Sequence, residues 1–167
     1  EHYQKSLAIR LKTLGPDHSD VGESYHNIGV THVNKAEYDK ALEYYQKSLA
    51  IFLKTLGPDH PYVAISYNGM GNVYYDKGEY DKALEFYQKS LTIRLKQLGP
   101  DHPDVATSYN SIGEGLHMKG ESDKALEHYQ KSLAIRLKTL GPDHSDVGES
   151  YHNIGVTHVN KAEYDKA

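Results

Sequence analysis

The element Gly-Pro-Asp-His stands at Gly15, Gly57, Gly99 and Gly141, so the chain restates itself every 42 residues. A fixed period of this length excludes a fold built around one central core. It points to a stack of small helical or strand units, each covering its neighbour. The unit at residues 66–107 shows which. Tyr67, Met70 and Tyr74 fall at i, i+3 and i+7 and make one apolar stripe on a first helix, with Gly71 leaving room for a close neighbour. Lys77-Gly78-Glu79 breaks that helix, because glycine supplies the left-handed residue on which helices commonly end. A second stripe follows at Leu84, Tyr87, Leu91, Leu95 and Leu98, and Gly99-Pro100 stops it. Pro61 and Pro103 open the next first helices, where a missing N–H costs nothing.

Tyr67, Met70, Gly71, Tyr74, Gly78, Tyr80, Ala83 and Tyr87 match the helix–turn–helix pattern of the tetratricopeptide repeat, with Ser90 in place of the last alanine. The resemblance covers the whole chain. The family unit has about 34 residues, so each unit here is longer, through an extended second helix and the Leu-Gly-Pro-Asp-His connector. In this it is similar to the arrays of kinesin light chains and nephrocystin-like proteins. The resemblance implies an all-α fold, a right-handed α-solenoid (superhelix) of antiparallel helix pairs.

In order, the chain is expected to hold a lone second helix at residues 1–14 and full pairs at 19–56, 61–98 and 103–140. A first helix with the start of a second follows at 145–167. Ser19 is expected to cap its helix. Ala36 and Ala162 take the place held by Gly78 and Gly120, so each should be forced toward the left-handed region. The second helix of the first pair has its apolar stripe at Leu42, Tyr45, Leu49, Leu53 and Leu56, with Phe52, in the register of Arg10, Arg94 and Arg136, at the edge. Tyr3, Tyr25, Tyr45, Tyr67, Tyr87, Tyr109, Tyr129 and Tyr151 lie on packing stripes, whereas Tyr75 does not. Residues 127–167 are identical to residues 1–41, at an offset of 126, three periods.

Charge and composition narrow the function. With 19 basic and 23 acidic residues the net charge is −4, and no basic block occurs, which argues against nucleic acid or an anionic membrane as partner. No apolar run approaches a bilayer span and no signal-peptide pattern opens the chain; with cysteine absent, a cytoplasmic setting is expected. His18, His60, His102 and His144 recur with the connector and lie a full repeat apart, so they read as connector residues bonding backbone or water, not as metal ligands. The Gly69-Met70-Gly71 and Gly113-Glu114-Gly115 runs follow no strand and lack the Gly-Lys-Ser/Thr ending of a phosphate loop. Glu43, Glu85 and Glu127 read as surface charge at i, i+4 from lysines. No active site, cofactor or metal is expected.

Beside the packing stripe of each first helix runs a second one that varies while the packing positions stay nearly constant. It comprises His26, Val30, Val33 and Asn34; Asn68, Asn72, Tyr75 and Asp76; Asn110, Glu114, His117 and Met118; and His152, Val156, Val159 and Asn160. The resemblance implies that this stripe lines the concave face and holds an extended peptide or a partner helix. It carries no lysine or arginine, which argues against a clamp for a terminal carboxylate, whereas asparagines suit a peptide backbone. The expected function is non-catalytic binding of a protein or peptide. The alternative is a structural rod whose copies associate head to tail, residue 167 of one chain meeting residue 1 of the next, into filaments.

Overall fold

The computed structural model describes residues 2–164, with the backbone alone at 163 and 164, and the described residues fall into two compact units. The first, Glu1–Glu79, holds α1 (His2–Leu14), α2 (Ser19–Val33), α3 (Tyr38–Thr55) and α4 (Pro61–Asp76). The second, Tyr80–Ala167, holds α5 (Tyr80–Leu98), α6 (Pro103–Met118), α7 (Ser122–Leu140) and α8 (Ser145–Tyr164). No strand occurs among the described residues, and no helix there is long and apolar enough to cross a membrane. Within each unit successive helices pack on one another, and α2 also touches α4.

The connector histidines start the first helices. His18, His60, His102 and His144 each turn Nδ1 onto the backbone N–H two residues on, at 3.1–3.2 Å, and so satisfy one of the donors that a helix start leaves open. The cap of α2 is therefore His18 and not Ser19. Pro61 and Pro103 sit just inside the cap as expected. At the other end Gly15, Gly57, Gly99 and Gly141 have φ between 82° and 88°. The turns inside the pairs close with the N–H of Glu37, Glu79 and Glu121 on the carbonyls of His32, Tyr74 and Leu116, at 2.9–3.0 Å, across a left-handed residue. That residue is Gly78 (φ 75°), Gly120 (φ 77°) or, in the first turn, Ala36 (φ 56°). The identical sequence around Ala162 behaves otherwise, because α8 stays helical through Tyr164.

Each unit has a core of small and aromatic side chains. Val21, Val63, Val105, Ala41, Ala83 and Ala125 are fully buried, beside Tyr45, Tyr87 and Tyr129. The Tyr45 ring fills the junction of α2, α3 and α4: a Cβ added at Gly29 would lie 2.9 Å from it and one at Gly69 3.0 Å. Ser48, Ser90 and Ser132 are also wholly buried.

The expected stripe on α3 shifts along its second half, where Ile51 and Phe52 are buried and Leu53 is exposed. Phe52 is a core residue, not an edge one, and the reason is local. Arg10 donates to the Asp20 carbonyl and Ser24 Oγ, and Arg94 and Arg136 make the corresponding bonds to Asp104 and Ser108 and to Asp146 and Ser150. Where this clasp becomes a phenyl ring, its partner is Tyr62, 5.0 Å between centroids, and Gly22 provides the room, since a Cβ there would meet the ring at 2.8 Å. Tyr3 and Tyr151 are exposed, correcting their assignment to the core; each lies on a helix, α1 or α8, that packs on one described neighbour.

Candidate functional site

In the first unit the stripe lies on α2 and α4. His26 is half-buried with its ring 5.1 Å from that of Tyr45; burial lowers its pKa, partly offset by Glu23, and its Nδ1 has no hydrogen-bond partner. Val30 is 39% exposed, well above the packing residue Ile28 at 3%. Val33 is half-buried and Asn34 exposed at the helix end. On α4, Asn68 is half-buried with an unpartnered Oδ1, Asn72 and Asp76 are exposed, and Tyr75 is half-buried. Partial loss of hydration alone raises the Asp76 carboxyl above its ordinary value.

In the second unit the stripe on α6 and α8 is knitted together. Asn110, only 5% exposed, donates from Nδ2 to Glu114 Oε1 at 2.8 Å and to Glu149 Oε1 at 3.4 Å, and accepts from Asn153 at 3.2 Å. His117 bonds Thr157 Oγ1 at 3.2 Å through Nδ1 and Asn160 at 3.3 Å through Nε2. Thr157 gives its own proton to the Asn153 carbonyl, so Nδ1 of His117 carries the hydrogen and Nε2 accepts. Burial, then the nearby Glu149 carboxylate, pushes the Glu114 carboxyl up. Glu149 is also held by Arg136 at 3.3 Å. Met118, His152, Val156 and Val159 remain exposed.

The remaining polar groups are engaged at the periphery. Lys77 joins Asp39 and Lys119 joins Asp81, at 2.9 and 2.7 Å, while Lys161 pairs with Asp123. A shallow depression at Ala36, Glu37, Tyr38, Asp39, Lys40 and Lys77 is lined by such pairs. Lys47–Glu43 and Lys89–Glu85 are the surface pairs expected from the sequence, both at 2.5 Å. Among the described residues no group of histidines and carboxylates is placed to hold a metal ion.

The model of the tetratricopeptide repeat matches the chain at residues 1–54, 28–96, 64–138 and 112–167. The chain belongs to the tetratricopeptide repeat family. Solved structures agree on the fold. The nearly identical TPR-like repeats of a candidate kinesin light chain from Podosopora anserina share 24% identity over 98% of this chain and 77% of that one, with a TM-score of 0.80. BtubC (BKLC) from P. vanneervenii shares 22% over 99% of this chain and 66% of its own, with a TM-score of 0.86. The apo form of RapI shares 20% over 98% and 57%, with a TM-score of 0.82. No curated protein matches. The tetratricopeptide chain is thus an all-α solenoid of helix pairs, from a family of protein-interaction scaffolds that are generally non-catalytic.

For this tetratricopeptide chain, sequence reasoning singled out Asn110, Glu114, His117 and Asn160 but not the residues that engage them, Glu149, Asn153 and Thr157. The signal was available: first helices of successive repeats touch at separations of 39, 40 and 43 residues, close to the period of 42 but not on it. The head-to-tail junction rests on residues 1 and 167, which lie outside the described residues.

Proposed function

We propose that the stripe on the first helices is a docking face for a peptide or partner helix, and that the array works as a non-catalytic scaffold. The supporting observation is the exposure of aliphatic and thioether side chains at stripe positions: Val30, Met118, Val156 and Val159 are 38–58% exposed, while the packing valines one face away are at 0–1%. A repeat keeps such side chains in water at a cost, and a ligand that covers them recovers it. On α4 the same stripe carries the amides of Asn68 and Asn72, a residue type suited to a peptide backbone. A displayed peptide library selected on the intact chain tests the reading. Enriched peptides should lose binding to Asn72→Ala, Tyr75→Ala protein whose circular dichroism and melting match the parent. A library that yields no binder, with a chain that instead grows in mass with concentration by light scattering, would favour the self-stacking rod.

A further inference from the structure

The two units use one register in opposite ways. In the second, α6 presents Asn110, Glu114 and His117 to Glu149, Asn153, Thr157 and Asn160 of α8, and the seam is closed by side-chain hydrogen bonds. Two periods earlier, α2 carries His26, Val30 and Val33 in those places, and α4 carries Ile65, Gly69, Val73 and Asp76. None of the bonds has a counterpart there. Val33 holds the register of His117 and Asp76 that of Asn160, so the carboxylate comes where an amide finds an imidazole in the second unit, beside an aliphatic side chain instead. Ile65 holds the register of Glu149 and is 39% exposed, as is Val30.

We infer that the ligand is read at the α2–α4 seam, and that it is an amphipathic segment with aliphatic side chains over Val30, Val33 and Ile65 and a lysine or arginine at Asp76. The inference rests on the docking-face reading and deepens it by assigning a place and a chemistry. Two observations carry it. Polar groups of the α6–α8 seam already spend their hydrogen bonds on each other, so a ligand would have to break those bonds before making its own. At the α2–α4 seam Val30 and Ile65 are exposed and Val33 half-buried, and Asp76 stands at the end of α4, where the helix carries partial negative charge, so a cation completes it. The stripe itself supplies no lysine or arginine to compete.

Fluorescence anisotropy with the intact chain decides the matter. The probes are short fluorescein-labelled leucine–alanine peptides with leucines at i, i+3, i+4 and i+7 and a terminal lysine, glutamine or glutamate. The lysine peptide should bind about tenfold more tightly than the glutamate peptide, and Val30→Asp with Val33→Asp should weaken it at least about tenfold. Asp76→Asn should erase the preference for lysine over glutamine and keep the need for leucine. Val156→Asp with Val159→Asp, on the stripe of the second unit, should weaken the lysine peptide by a clearly smaller factor than the first-unit pair does. Should the valine pair in the first unit fail to fold, a benzophenone carried by the lysine peptide gives the answer on the parent chain, with crosslinks expected on α2 and α4. Crosslinks on α6 or α8, or binding lost only with the second-unit pair, would overturn the assignment and leave the docking-face reading standing. So would library binders that need neither leucine nor lysine. Absence of any peptide binder, here and in the library, would overturn both.

Discussion

Tyr45 shows how much a single residue can determine in a repeat. Its ring is 3% exposed, wedged against two glycine-bearing helices, and burial raises the phenol to about 12 from an ordinary value of 10. The linkage has a definite sign. Below pH 10 the phenol is neutral folded and unfolded, and its burial contributes in full. Between pH 10 and about 12 the unfolded chain ionises while the folded chain resists, so stability falls as pH rises through that window. A shift of this size corresponds to about 2–3 kcal/mol once the window is crossed. Tyr45→Phe should therefore lose less stability than the parent between pH 10 and 12, measured by urea denaturation along a pH series. Equal slopes for the two proteins would mean that the ring is not sealed by Gly29 and Gly69. Phe52 makes the complementary point. Its neighbours in register are arginines, and burial follows from one glycine on α2 and one tyrosine on α4 that no local pattern links to it.

Helix positions were largely legible in the sequence, because each end is marked by chemistry that acts within a few residues: an imidazole Nδ1 on a backbone N–H, a proline in the first turn, a glycine with positive φ. What local chemistry does not decide is the turn inside a pair that lacks glycine. Residues 32–41 and 158–167 have the same sequence, yet Ala36 turns at φ 56° and Ala162 continues a helix. Alanine is the best helix former, so the helix is the local preference and the turn at Ala36 is imposed by α3 folding back onto α2. The same substitution should then act with opposite sign. Ala36→Gly relieves the left-handed strain and should stabilise by about 1 kcal/mol, whereas Ala162→Gly should cost about 0.5–1 kcal/mol. Chemical denaturation of the two variants beside the parent reads both, and a gain at both positions would show that the turn at Ala162 forms as well. The variable stripe of the first helices was legible in the same partial way. Its members could be picked out because they vary, but whether they face a ligand or one another depends on side chains about one repeat away. Thus nothing in the sequence around Asn110 marks Glu149 and Asn153, which hold it from α8.

Across the whole molecule, stability in such an array is a sum over neighbours, so an identical segment is worth different amounts in different places. The duplicated segment makes this measurable. Gly29 and Gly155 occupy the same position of an identical sequence, and their surroundings differ: a Cβ at Gly29 would lie 2.9 Å from the Tyr45 ring, while one at Gly155 meets nothing within 4 Å. At Gly29 an added methyl must displace a fully packed aromatic ring, which costs about 1–3 kcal/mol. At Gly155 the methyl has only its helix to answer to, and replacing glycine inside a helix gains about 0.5–1 kcal/mol. Gly29→Ala should accordingly lower the denaturation midpoint and Gly155→Ala raise it or leave it unmoved, although no alignment of residues 1–41 with residues 127–167 distinguishes the two sites. Gly22 and Gly148 repeat the contrast: a Cβ at the first would lie 2.8 Å from the Phe52 ring, and one at the second meets nothing within 4 Å. Equal destabilisation by Gly29→Ala and Gly155→Ala would mean that a helix covers α8 in solution as α3 covers α2, and a second copy of the chain is one source of it. Repeating the Gly155→Ala measurement at several protein concentrations separates that case, since a cost borne by an interface between copies grows as the copies associate.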